Sequence, residues 1–137
     1  MGNNMVNKSE RKTLKALIVD DEDFVLILLE KMLHQLNIQT YSASEAEAGL
    51  LLFLEESPNI VFCDFVMPGM DVTTFYRAIK AINKSIPIVM ITGYIELMTN
   101  KMDNLDIKLD YVLEKPFNRE SVIAILKKCF PDYIDTK

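Results

Sequence analysis

Asp64 closes an apolar run, Asn59-Ile-Val-Phe-Cys-Asp64, and Phe65-Val-Met-Pro-Gly69 follows it. An ionised carboxylate after such a run contributes nothing to packing. The same event comes earlier, where Leu14-Lys-Ala-Leu-Ile-Val19 leads straight into Asp20-Asp21. A third run, Ile86-Pro-Ile-Val-Met-Ile91, ends in Thr92, and Tyr111-Val-Leu113 leads to Glu114-Lys115-Pro116. Brought to one sheet edge, these ends set an acidic pair, a carboxylate, a hydroxyl and an amine around one space. Carboxylates a few ångströms apart raise one another's pKa, and a divalent cation relieves the repulsion. Mg²⁺ suits such a set, because it takes hard oxygen ligands and keeps waters alongside phosphate oxygens. Asp21 and Asp64 are candidate direct ligands, Asp20 a direct or water-bridged one, and the backbone carbonyl of Val66 a further one. Asp64 is also a candidate nucleophile, since a carboxylate oxygen attacking a phosphoryl group gives an acyl phosphate. That transfer asks for positioning and charge neutralisation. Lys115 can pair with one phosphoryl oxygen as a mobile point charge, and the Thr92 hydroxyl can donate to another.

Each residue also has a plainer reading. Asp20-Asp21 can be acids at a helix start, and Asp64 a turn former before Pro68-Gly69. Thr92 can belong to a Thr-Gly turn, and Lys115 can be solvated. The plain readings together require four coincidences at four strand ends.

The elements that must position these residues follow from hydrophobic periodicity. Strands are predicted at Leu14–Asp20, Ile38–Tyr41, Asn59–Asp64, Ile86–Ile91 and Tyr111–Leu113. The first helix carries Val25, Leu28, Leu29, Met32, Leu33 and Leu36 at helical spacing, with Asn37 as its stop. Ser44 with Glu47 reads as a capping box for a second helix that buries Leu50, Phe53 and Leu54. A third helix presents Phe75, Ala78, Ile79 and Ile82, and a fourth, weakly patterned, spans Ile95–Asn104. Asn118 caps a last helix with the stripe Val122, Ile125, Leu126 and Cys129. Strand and helix thus alternate through five units, the pattern of an α/β fold with a parallel sheet and helices on both faces. The expected strand order is 2-1-3-4-5, flavodoxin-like, with its crevice at the carboxyl ends of strands 1 and 3.

The 137 residues suit one domain. We read it as residues 14–130, with a frayed tail over 1–13 and a C-terminal tail over 131–137. A net charge of −5 argues against direct nucleic-acid binding. No apolar stretch reaches the roughly 20 residues of a membrane span, and Met1–Lys15 lacks a secretory h-region. Cys63 and Cys129 show no metal-ligand spacing and read as buried free thiols, so a cytoplasmic location is expected. The eight methionines read as core filling. His34 reads as a surface or partly buried histidine.

Four motifs now stand in order: Val19-Asp20-Asp21, Asp64-Phe-Val-Met-Pro-Gly-Met-Asp71, Ile91-Thr92-Gly93 and Lys115-Pro116-Phe117. Through them the chain resembles the receiver domain of two-component response regulators, over about Leu14 to Phe130. The resemblance implies phosphorylation of Asp64 from the phosphohistidine of a sensor kinase or phosphotransfer protein, with Mg²⁺. It also implies a switch of the surface formed by helix 4, strand 5 and helix 5, read by a downstream protein, and allows a phosphorylation-dependent dimer. Such a protein catalyses its own phosphorylation and dephosphorylation and processes no metabolite.

The chain departs from the family pattern in three places. Val72 stands where glycine is common. Val112 stands where an aromatic commonly rotates inward, and strand alternation turns neighbouring Tyr111 to the opposite face. Val66 and Tyr94 occupy the positions that tune hydrolysis. Neither can orient water, and Tyr94 can shield the phosphoryl group, so a long-lived phosphorylated state is expected. An aspartate-nucleophile phosphatase would want a second acid at position 66, and no Gly-rich nucleotide motif is present. A phosphorylation-independent binding module is the alternative that Val112 leaves open. The sequence is compatible with a single-domain regulator or with part of a longer one.

Overall fold

The computed structural model describes residues 13–134. The N-terminal tail expected over 1–13 lies outside these residues apart from Thr13, as do the last three residues of the C-terminal tail. The elements alternate as β1 (Lys15–Val19), α1 (Asp23–His34), β2 (Gln39–Ala43), α2 (Ala46–Glu56), β3 (Ile60–Asp64), α3 (Val72–Ile82), β4 (Ile88–Thr92), α4 (Ile95–Asn104), β5 (Tyr111–Glu114) and α5 (Arg119–Cys129). The five strands are parallel and ordered β2-β1-β3-β4-β5, the predicted order.

Strand alternation divides the interior into two cores. Leu17, Val19, Val61, Cys63 and Met90 face α2, α3 and α4, and pack on Phe53, Phe75, Ile79 and Met98. Ala16, Ile18, Ile60, Phe62 and Ile91 face α1 and α5, and pack on Leu29, Leu33, Val122 and Leu126. The central strands are buried on both faces, which is why they read as continuous apolar runs. Burying each of the Val, Leu, Ile, Phe and Met side chains among these stabilises the fold by about 1.5–3 kcal/mol. Val112 joins the first core and Tyr111 the second, so the predicted alternation at this strand is found.

Several helix details differ from expectation. Ser44 does not cap α2; Glu45 is its N-cap residue, with no side-chain bond. The first turn of α2 is instead packed inward, with Ala46 and Gly49 buried. A Cβ on Gly49 would lie 2.7 Å from Val19 Cγ2, so only glycine permits this approach. Leu54 and Ile82 are exposed, not buried. Both lie in the last turns of their helices, where the stripe runs past the packed surface. Cys63 is buried, but Cys129 is only half-buried. His34 is exposed and bonds Thr40 through Nε2 at 2.8 Å. Of the methionines, Met90, Met98 and Met102 are buried. Asn118 does cap α5, reciprocally with Ser121, and Lys127 and Lys128 occupy its last turn. The first helix stops short of Asn37: α1 ends at His34 with Gln35 as its C-cap, and Asn37, with φ 62°, lies in the turn that follows.

Candidate active site

Register brings the four motifs to one edge. Val19 is paired with Cys63, so the following residues, Asp20 and Asp64, emerge side by side. Asp64 is paired with Ile91, which puts Thr92 one step beyond it, and Thr92 is paired with Glu114, next to Lys115. The Lys115 N–H donates to the Thr92 carbonyl at 2.8 Å, extending the ladder past the strand ends. The side chains open onto a cleft of about 440 Å³, lined by Asp21, Asp64, Val66, Thr92, Tyr94 and Lys115 among others.

The electrostatics are tense. Asp20 is fully buried, and its Oδ1 accepts the Glu22 N–H at 2.8 Å. Its Oδ2 is buried without a hydrogen-bond partner. Asp64 is 6% exposed, and its Oδ1 accepts only a long bond, 3.5 Å, from the Val66 N–H. Burial, followed by repulsion from Asp20, pushes the Asp64 carboxyl up to about 6, and Lys115 only partly offsets this. Asp20 is raised as well, chiefly by burial. Lys115 Nζ lies 3.4 Å from Asp20 Oδ2 and 3.6 Å from Asp64 Oδ1. Its burial works against the ammonium, but the pair with Glu22 and the nearby aspartates outweigh that and raise its pKa.

Asp20, Asp21 and Asp64 each offer a carboxylate oxygen, all within 4.8 Å of one another, and Asp21 is the exposed member. The orphaned Asp20 oxygen and an all-oxygen donor set fit a hard divalent cation. Val66 and Tyr94 stand exposed at the cleft rim. Thr92 is buried, and its Oγ1 accepts the Tyr94 N–H at 2.8 Å. Val112 does not line the cleft; it is half-buried against the core on the α2, α3 and α4 side of the sheet.

Sequence reasoning missed Glu22. Its Oε1 accepts from Lys115 Nζ at 2.7 Å, across 93 positions of chain. The run of four acids Asp20–Asp23 is the available signal, but acids beside a helix start ordinarily need no role beyond favouring its dipole. A larger groove of about 730 Å³ lies at the opposite edge of the sheet, lined by Leu54, Ile82, Pro87 and Phe130 among others. It gathers no cluster of acids. No helix among the described residues is long and apolar enough to cross a membrane.

Comparison with known proteins agrees with this geometry. The response regulator receiver domain profile matches residues 16–127. Sporulation initiation phosphotransferase F of Bacillus subtilis is 30% identical over 118 residues, which cover 85% of this chain and 94% of that protein. Probable transcriptional regulator ycf27 of Galdieria sulphuraria is 31% identical over 119 residues, but the match spans only 45% of its length. Among solved structures, a receiver domain protein from Methanospirillum hungatei superposes with a TM-score of 0.77 at 25% identity, covering 85% of this chain and 93% of that one. Chemotaxis response regulator CheY4 of Vibrio cholerae shares the fold, with a TM-score of 0.78 at 22% identity over 87% of this chain and all of that one. Receiver domains are signalling switches of two-component systems, and this chain belongs to the response regulator receiver domain family.

Proposed function

We propose that Asp64 is the phosphoryl acceptor of a phosphorelay, charged from the phosphohistidine of a sensor kinase or phosphotransfer protein in the cytoplasm. The observation that carries this reading is a nearly buried carboxylate, raised to about 6, facing an ammonium beside a second, orphaned carboxylate. An Asp64 oxygen forms the new bond to phosphorus while the bond from phosphorus to the imidazole nitrogen breaks, and that nitrogen keeps the electron pair. Asp20, Asp21, Asp64 and the Val66 carbonyl would hold Mg²⁺, which when bound neutralises carboxylate and phosphoryl charge. Lys115 moves the short distance to a phosphoryl oxygen as a point charge. The Thr92 hydroxyl donates to another oxygen and can go on accepting the Tyr94 N–H. Tyr94 is the N-cap residue of α4, so this bond is a direct link from the phosphoryl group to the first turn of that helix. The output is then a change in the surface of α4, β5 and α5, read by a downstream protein or a second copy, without the swing of an aromatic at Val112. Ile95 and Leu97 are exposed on α4 and available for such a contact.

The test is intact mass after incubation with acetyl phosphate. Wild type should gain about 80 Da, one phosphoryl group, only with Mg²⁺, and Asp64→Asn should gain nothing. A folded, Mg²⁺-binding wild type that gains no mass would favour the phosphorylation-independent module, the reading to which Val112 points.

A further inference from the structure

We propose that Glu22 is a positioning residue that holds the Lys115 ammonium at rest and must release it before Lys115 can pair with an incoming phosphoryl group. The proposal rests on the acceptor reading of Asp64. Lys115 Nζ has three carboxylate neighbours, and Glu22 Oε1, at 2.7 Å, is the nearest and the one to which it donates a well-formed hydrogen bond. Asp20 Oδ2 and Asp64 Oδ1 stand off at 3.4 and 3.6 Å. An ammonium on a flexible stem follows its nearest strong acceptor. Glu22 is fixed from below, since its N–H donates to Asp20 Oδ1. It is the N-cap residue of α1 and makes no side-chain capping bond, which leaves its carboxylate to turn toward Lys115.

The two partners differ in exposure. The Glu22 side chain is 59% exposed and that of Lys115 only 21%. Their pair therefore sits at the cleft rim, where water competes and ion pairs are weak. A phosphoryl group carrying a charge of about −1.5 to −2 outcompetes a single exposed carboxylate for the ammonium. The pair acts as a light latch. Removing the Glu22 charge leaves Asp20 and Asp64 as the nearest anions, so the ammonium shifts inward and acceptance becomes faster.

The test measures phosphorylation rates by intact mass, with acetyl phosphate and Mg²⁺, for wild type, Glu22→Gln, Lys115→Ala and the double variant. Glu22→Gln should be roughly two- to fivefold faster, the size of effect a partly exposed ion pair carries. The double variant should match Lys115→Ala. An unchanged or slower Glu22→Gln overturns the proposal. So does an acceleration that persists without Lys115, which would mark Glu22 as a charge repelling the anionic donor. A second readout needs no phosphorylation: the Lys115 side-chain Cε–Hε NMR signal, identified by its loss in Lys115→Ala, should move in metal-free Glu22→Gln. An unmoved signal also overturns the proposal. A wild type that accepts nothing while this signal moves would overturn both the latch and the acceptor reading, leaving only an ion pair. A phosphorylated wild type with an indifferent Glu22→Gln removes the latch alone.

Discussion

The two edges of the sheet use the same side-chain chemistry to opposite ends. At the amino edge, Asp110 Oδ2 accepts from Lys80 Nζ at 2.5 Å and from the Ile88 N–H at 3.0 Å. Asn59 Oδ1 accepts the Lys15 N–H at 2.8 Å, and the Tyr76 hydroxyl donates to the Lys108 carbonyl at 3.1 Å. These polar groups tie strand starts to neighbouring loops and helices. At the carboxyl edge, a buried Asp20 oxygen has no hydrogen-bond partner and Asp64 receives one long bond. An acid with its partners in place stabilises; acids crowded and under-satisfied give up local stability for reactivity. The difference supports our proposal that the chemistry lies at the carboxyl edge, although the larger groove is at the other.

The contrast breaks first on pH. The folded Asp64 carboxyl titrates near 6, above its ordinary value of 3.8. Between those values the folded protein binds more protons than the unfolded chain, so stability falls as pH rises from about 4 to 6. The loss is complete above 6 and is on the order of 3 kcal/mol for Asp64. Urea unfolding in a chelator should show Asp64→Asn increasingly more stable than wild type across that window. A constant difference with pH would contradict the strained edge.

Lys115→Ala should slow phosphoryl acceptance by about 10²-fold, as for loss of one charge-stabilising donor at a reacting centre. Initial rates with acetyl phosphate check this. A smaller effect is expected at the rim, where Tyr94→Gln introduces an amide able to orient water. It should shorten the phosphoryl lifetime about tenfold, below the range of a positioned general base. Wild type should hold the group for longer than seconds in Mg²⁺ buffer, as a decay series by mass would show. The smallest effect belongs to the amino edge. Asp110→Asn weakens a partly exposed pair with Lys80 and should lower unfolding stability by roughly 0.2–1 kcal/mol, with acceptance rates unchanged. A changed rate would mean the two edges are coupled.

The sheet was legible because its central strands are buried on both faces and read as unbroken apolar runs. The order 2-1-3-4-5 follows from five alternating units, and the acids at strand ends marked the edge where they meet. Local helix detail was less legible. Leu54 and Ile82 keep helical spacing, yet they line the amino-edge groove because α2 and α3 outrun the core. Ser44 and Glu47 have capping-box spacing, yet α2 starts one residue later, with Glu45 as its N-cap residue and no side-chain cap bond. Glu22 was hidden for another reason: its partner is distant in the chain, and local charge rules describe only neighbours. Lys101 is similar, meeting Asp71 at 3.4 Å from a different helix.

The central claim is that Asp64 carries the phosphoryl group. The most direct measurement is borohydride reduction of the phosphorylated protein, which converts an aspartyl phosphate to homoserine, followed by sequencing of the peptides by tandem mass spectrometry. Homoserine at position 64 and nowhere else is the predicted result. Homoserine at position 20 or 21, or a phosphorylated protein in which residue 64 stays aspartate, would contradict it.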